Sequence, residues 1–334
     1  MNTNLFENGV RWGIIGVGDV CEVKSAPAMN LIEGSSLVAV MRRNAEKAAD
    51  YARRHGVATW YNDADALIHD PQVNAVYIAT PPDSHAYYTH KVAAAGKPVY
   101  VEKPMARNHQ ECLDMIAVCE QAQVPLYVAF YRRELAIYQK VKALLEQGVI
   151  GDVRYVDIKV HKALQPNSGA GNGQENWRTL PEVGGGGHFF DLGSHQLDLM
   201  DYLLGPIKEA QGFASNQAGH YPAEDIVLGS FVFENGVLGQ GSWCFNTSPN
   251  AEHELTTIYG SKGKLAFTFF SNFHIQLSVE GQPDEVLHFE MPKHIQQPFI
   301  QTIVDELRGK GTCISTGVSA ARTNWVMSKI SHHL

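Results

Sequence analysis

A chain of 334 residues with a formal charge of -8, 44% hydrophobic and 10% aromatic, is long enough for two domains that each bury a core. The acidic balance, without a lysine-arginine cluster to follow a phosphate backbone, excludes a nucleic-acid partner. Apolar stretches such as 73–79 are far too short to span a bilayer and residues 1–11 lack a signal-peptide pattern, so a cytoplasmic protein with no membrane partner is expected.

From Arg11 to about Val128 short apolar runs alternate with amphipathic stretches. Residues 12–15, 37–41, 75–79, 99–101 and 126–129 read as strands, and 45–55, 84–95 and 109–121 as the helices between them. This βαβ rhythm predicts a doubly wound parallel sheet of the Rossmann kind. After Tyr131 the rhythm changes. A helix over 135–147 ends at Gly148, and 153–160 alternates like a strand. A helix carrying Asp191 follows, then strands over 226–233, 238–245, 254–259, 264–269 and 274–279, several joined by tight turns. That is an open, mostly antiparallel sheet within an α+β domain. Helices return over 297–308 and 315–330, and 166–174 reads as a long flexible loop. The division expected is 1–130 for a dinucleotide-binding domain and 131–334 for a substrate-binding and oligomerisation domain. Five scattered cysteines (Cys21, Cys112, Cys119, Cys244, Cys313), odd in number and without Cys-x-x-Cys spacing, read as buried hydrophobes and not as a disulfide framework or a zinc site.

The first strand runs directly into Gly16-Val17-Gly18-Asp19-Val20-Cys21. Gly16 permits the tight turn, Gly18 lets backbone approach a pyrophosphate, and the helix start at Asp19 and Val20 supplies unpaired N–H groups and a positive dipole. The second strand ends Met41-Arg42-Arg43-Asn44. An Asp or Glu there would meet a ribose 2′-hydroxyl, whereas two guanidiniums can embrace a 2′-phosphate. NADP(H) is therefore favoured over NAD(H), against the alternative of a solvated helix start.

The third strand leads into Thr80-Pro81-Pro82-Asp83-Ser84-His85, a rigid turn suited to lie along a nicotinamide, with Asp83 or Ser84 capping the next helix. The next strand ends Glu102-Lys103-Pro104. An ammonium at a strand's carboxyl end faces the crevice where open α/β sheets bind ligands, and there it can hold a hydroxyl oxygen and stabilise developing alkoxide. The alternative is an ion pair with Glu102. A third segment reads Asn176-Trp177-Arg178, then Gly184 to Gly187 and Asp191, His195, Asp198 and Tyr202. On a regular helix those last four form one polar stripe in an otherwise apolar circumference. His195 would move the proton and Asp191 orient it, with the glycines letting backbone pass beneath a flat cofactor ring. A hydrogen-bonded core histidine, or a metal held by His188, Asp191 and His195, are the alternatives weighed, and no metal is expected.

Taken in order, Gly16-x-Gly18, Thr80-Pro81-Pro82-x-x-His85, Ala95-Gly96-Lys97-x5-Glu102-Lys103-Pro104, Gly148-x-Ile150-Gly151 and Gly185-Gly186-Gly187-x3-Asp191-x-Gly193-x-His195 resemble the Gfo/Idh/MocA dehydrogenases over nearly the whole chain. The resemblance implies a Rossmann domain followed by a domain whose exposed sheet face commonly builds homodimers or homotetramers. It implies catalytic roles for Lys103, Asp191 and His195, and a place near the cofactor for Gly16, Gly18, Thr80, Pro81, His85, Glu102, Trp177 and Arg178. Family members act on sugars, cyclitols and related polyols. Two departures stand out: Cys21 at the third small position of the opening turn, and Arg42 where NAD-using relatives carry aspartate. The expectation is an NADP(H)-dependent sugar or polyol oxidoreductase, its rivals a non-catalytic nucleotide sensor of the same fold and a metal-dependent hydrolase or isomerase.

Overall fold

A computed structural model describes residues 6–164 and 176–332, so the loop expected over 166–174 lies outside the described residues. The chain forms two compact units, one from Met1–Ala106, Gln110–Tyr131 and Pro292–Ala321, the other from Arg107–His109, Arg132–Met291 and Arg322–Leu334.

In the first unit β1 (Val10–Ile15), α1 (Asp19–Val23), α2 (Ala26–Met29), β2 (Ser35–Met41), α3 (Ala45–His55), β3 (Thr59–Tyr61), α4 (Ala64–His69), β4 (Ala75–Ile78), α5 (His85–Ala94), β5 (Val99–Val101), α6 (His109–Gln121) and β6 (Leu126–Val128) follow one another. The strands pair in parallel in the order β3-β2-β1-β4-β5-β6. Strand order therefore reverses between β1 and β4, which is where a doubly wound sheet opens a crevice beyond its carboxyl ends. β4, β5 and β6 are buried along their whole length, so they read as unbroken apolar runs and not as alternation.

Each of those three strands carries one tyrosine, and Tyr77, Tyr100 and Tyr127 stand side by side in register. A buried phenol needs an acceptor for its hydroxyl. Tyr77 donates to Glu102 Oε1 at 2.5 Å, Tyr100 to Gln296 Oε1 at 2.6 Å and Tyr127 to Glu306 Oε1 at 2.8 Å. Two of the three acceptors come from 292–321. The division after residue 130 assigns that segment to the second domain, yet it packs in the first unit.

In the second unit α7 (Ala136–Glu146), β7 (Val153–Ala163), α8 (Pro181–Gly184), a π-turn over Phe189–Gly193, α9 (Ser194–Leu204), β8 (Ile207–Ser215), β9 (Ile226–Phe233), β10 (Leu238–Thr247), β11 (His253–Gly260), β12 (Gly263–Phe267), β13 (His274–Val279) and β14 (Glu285–His288) precede α10 (Gln297–Leu307) of the first unit. The last helix, α11 (Gly317–Ser331), starts in the first unit and ends in the second. The eight strands are ordered β14-β13-β12-β11-β7-β10-β9-β8, all antiparallel neighbours except β7 and β10. Along β7, Val156, Ile158 and Val160 are buried while the residues between them are partly exposed, so one face carries the core. All five cysteines are free thiols, four of them buried.

Candidate active site

The opening turn of the first unit is built as a dinucleotide turn requires. Gly16 has φ +91°, and a Cβ there would sit 2.5 Å from Thr80 Cγ2, so the turn closes against the start of the next crossover with no side chain between. Gly18 is the opposite case: a Cβ would meet nothing nearer than the Gly16 carbonyl at 3.8 Å. That open ground, ahead of a helix whose N-cap makes no side-chain hydrogen bond, fits a pyrophosphate approached by backbone. Asp19 is exposed and Val20 half-buried at the helix start. Cys21 is fully buried, its thiol pushed up to about 12 by burial. It fills the third small position as a packing residue.

At the end of β2 the half-buried Arg42 reaches back to the turn, Nη1 donating to the Val17 carbonyl at 3.2 Å. Arg43 is exposed, and Asn44 caps α3 by accepting from Lys47 N–H at 2.9 Å. The guanidinium of Arg42 thus lies against the Gly16–Gly18 loop, and no carboxylate stands among residues 41–44.

The Thr80–His85 turn is half-exposed at Thr80 and Pro81. Ser84 does not cap α5 through its side chain. Its hydroxyl donates instead within the turn, to Thr80 Oγ1 at 2.8 Å and the Pro81 carbonyl at 3.0 Å. His85, expected near the cofactor, is fully buried beneath the turn. Its Nε2 lies 2.8 Å from the Thr80 carbonyl and its Nδ1 3.2 and 3.1 Å from those of Pro104 and Met105. Burial lowers its pKa, against the pull of those carbonyls and of Glu102. Whichever nitrogen carries the proton, the ring spans from the proline turn to the segment just after Lys103, and it acts as a strut.

Glu102 is likewise internal. Its Oε1 accepts from Tyr77 at 2.5 Å and from Gln296 Nε2 at 2.7 Å, and its Oε2 from the Lys103 backbone N–H at 3.1 Å. The carboxylate fixes the strand end from below, while Lys103 itself is half-buried. Charge-assisted bonds of this kind contribute about 1.5–3 kcal/mol each, so the backbone that launches the lysine is held firmly.

In the second unit the glycine run leads to a π-turn, a feature that recurs at functional sites. Gly184 to Gly187 are buried, and the close approach they allow is to their own chain. A Cβ at Gly186 would lie 2.3 Å from the Phe190 ring, and one at Gly185 2.7 Å from the Arg107 carbonyl. They make room for Phe190 and backbone, not for a cofactor ring. Asp191, within the turn, accepts from Arg178 Nε at 3.1 Å, and the Arg178 guanidinium lies 4.3 Å over the Trp177 ring. Trp177 and Arg178 are thus brought to Asp191. His195 is 4% exposed, its ring 6.3 Å from that of Phe270.

The polar stripe does not continue as one line. The π-turn changes the register after Asp191. Asp198 is locked in a buried bidentate pair with Arg133, at 2.9 and 2.6 Å, and burial pushes it up to about 6 in spite of that guanidinium. Tyr202 lies under Arg133 and Lys142. His188 packs against Tyr221 and Phe245, and burial lowers its pKa. Among the described residues no three His, Cys, Asp or Glu side chains are arranged to hold a metal, and no helix is long and apolar enough to cross a membrane. Sequence reasoning missed Tyr77 and Gln296, which fix Glu102, and Arg133. Only the tyrosines gave a signal, as polar tips within apolar runs.

An open glycine turn at the switch point of a Rossmann-ordered sheet, followed by a second unit with a mostly antiparallel sheet, defines a dinucleotide-binding protein of the dehydrogenase type. Residues 10–130 match the oxidoreductase family with an NAD-binding Rossmann fold, and residues 138–266 match the GFO/IDH/MocA C-terminal domain. Oxidoreductase P35 of Formosa agariphila is 43% identical over 89% of this chain and 91% of its own length. A 1,5-anhydro-D-fructose reductase of Ensifer adhaerens is 29% identical over 76% of this chain and 74% of its own length. Among solved structures, levoglucosan dehydrogenase in complex with NADH and levoglucosan superposes with a TM-score of 0.85 at 21% identity, covering 96% of each chain. The chain belongs to the Gfo/Idh/MocA family of oxidoreductases.

Proposed function

We propose that the protein is an NADP(H)-dependent oxidoreductase that moves hydride between nicotinamide and a sugar, cyclitol or related polyol, or the corresponding carbonyl compound. The observation that carries this reading is the half-buried Lys103, launched from β5 by a hydrogen-bonded Glu102, on the same parallel sheet as the open Gly16–Gly18 turn. Relatives named for reduction or oxidation of anhydrosugars support the substrate class. Arg42, resting on the turn, supports NADP(H) over NAD(H).

Bound nicotinamide supplies the hydride acceptor or donor. In the oxidative direction His195 takes the hydroxyl proton at an imidazole nitrogen. Lys103 holds the same oxygen with its ammonium and stabilises the alkoxide charge as it develops. Asp191, kept in place by Arg178, orients the substrate or the imidazole. In the reductive direction the proton returns from His195. The first unit serves the dinucleotide and the second the substrate, in a cytoplasmic homodimer or homotetramer associated through the open sheet.

A panel of sugars and polyols, with their oxidised forms, assayed by reduced-nicotinamide absorbance against NADP(H) and NAD(H), tests the proposal. Turnover with a higher kcat/KM for NADP(H) is expected. Absence of turnover with either dinucleotide would contradict the enzyme reading, and a higher kcat/KM for NAD(H) would contradict the cofactor choice.

A further inference from the structure

The inward face of the second sheet ends in a lysine. Val156, Ile158 and Val160 are the buried residues of β7, and the period of two places Lys162 on their side of the sheet, where another apolar residue would extend the core. Its ammonium lies 5.4 Å over the Phe270 ring. That ring in turn stands 6.3 Å from the imidazole of His195.

Three charged groups stand around the Phe269–Phe270 turn: Glu254, Arg132 and Lys162. Glu254, inward on β11 and the carboxylate nearest to hand, is already used: it accepts from Phe269 N–H at 2.9 and 3.0 Å and from Phe270 N–H at 3.1 Å. Arg132, buried, donates to the Phe269 carbonyl at 2.6 Å and holds its guanidinium 5.1 Å from the Phe270 ring. Among the described residues Lys162 forms no ion pair. Glu254 feels the charge of Lys162 but spends its oxygens on backbone N–H groups, so the partly buried ammonium keeps its capacity for a direct ionic hydrogen bond, which partial burial strengthens.

We propose that Lys162, with Phe270 as its apolar floor, forms an anion-accepting substrate subsite beside His195, and that the hydroxy compound turned over carries a carboxylate or phosphate group. The inference rests on the reading of His195 as the proton acceptor. A neutral polyol offers the half-buried ammonium no direct ionic partner. A carboxylate or phosphate-ester oxygen forms a charge-assisted hydrogen bond with it while the ring carbons lie on Phe270 and a hydroxyl is presented to His195.

The test uses matched trios: D-glucose, D-glucuronate and D-glucose 6-phosphate; D-galactose, D-galacturonate and D-galactose 6-phosphate; glycerol, D-glycerate and glycerol 3-phosphate. kcat/KM is measured with both dinucleotides for the wild type, Lys162→Met and Lys162→Arg. The quantity read is the anionic-to-neutral ratio within a trio, which cancels any loss of folded protein. The wild-type ratio is expected to be at least about tenfold, one charge-assisted hydrogen bond, and to fall toward unity in Lys162→Met while Lys162→Arg keeps it. Whether the carboxylate or the phosphate member is preferred identifies the group. A wild-type ratio near unity, or a ratio unchanged in Lys162→Met, overturns the subsite and leaves the oxidoreductase reading standing. Turnover of no compound with either dinucleotide overturns both.

Discussion

The two units present chemistry in different ways. In the first, backbone does the presenting: the Gly16–Gly18 turn is shaped by close approach to Thr80, and His85 and Glu102 are internal struts that fix turns and a strand end. In the second, the candidate side chains on the π-turn and α9 are held by other side chains, Arg178 for Asp191 and, 65 residues away, Arg133 for Asp198. A site made by backbone depends on glycines and prolines at fixed spacing. One made by side chains depends on which charges happen to meet.

That contrast can be broken in several ways. The largest effect is expected from Arg133→Ala, which takes the bidentate guanidinium from the buried Asp198 carboxyl and leaves it, among the described residues, only the Thr323 hydroxyl. Stability should fall by about 3–5 kcal/mol, measured by denaturant unfolding, and a change below about 1 kcal/mol would show that the second unit does not rely on its buried pair. Next, Lys103→Met and His195→Ala should each lower kcat by roughly a hundredfold or more, the scale of general acid–base work, while the folded fraction by circular dichroism stays that of the wild type. A smaller effect is expected at the nucleotide end. Arg42→Asp should weaken NADP(H) binding by about tenfold, a lost charge-assisted bond, and weaken NAD(H) much less. Equal weakening of both in a fluorescence titration would remove the phosphate role of Arg42.

The smallest expected effect concerns the ion-pair network that ties α1 to α3. Hydrogen bonding from Arg54 holds Glu22 down at about 2, with burial opposing and His55 assisting. A depressed folded-state value means the stability Glu22 contributes is complete above its ordinary value near 4.5 and is lost as pH falls toward 2. Melting curves of the wild type and Glu22→Gln should therefore differ most above pH 4.5 and converge at lower pH. A constant difference across that range would place the effect in packing. Exposure of the network keeps it small.

How much was legible in the sequence follows the same contrast. The buried parallel strands over 75–78, 99–101 and 126–128 and the helices Ala45–His55 and His109–Gln121 could be read almost to the residue, because unbroken apolar runs and 3.6-residue periodicity dictate them. β3, β8 and β14 were not. Glu285–His288 and Ile207–Ser215 are outer strands of the second sheet with many exposed polar residues, and edge strands are held by ladder hydrogen bonds more than by an apolar pattern. α4 escaped because its six residues span under two helical turns. At the site, the Gly-x-Gly turn and the Glu102-Lys103-Pro104 strand end were legible because local backbone makes them. The strut role of His85 was not, since a histidine near a helix start looks alike whether it faces a crevice or the interior. Nor could spacing show that Asp198 leaves the stripe, because its partner Arg133 lies 65 residues away.

The roles proposed for Lys103 and His195 concern one hydroxyl oxygen and its proton, and a double-mutant cycle on kcat tests them most directly. Groups that act as a unit are grossly non-additive. Lys103→Met combined with His195→Ala should be about as slow as the slower single variant. A double variant whose loss equals the product of the two single losses would mean that the ammonium and the imidazole work independently, and would contradict the account.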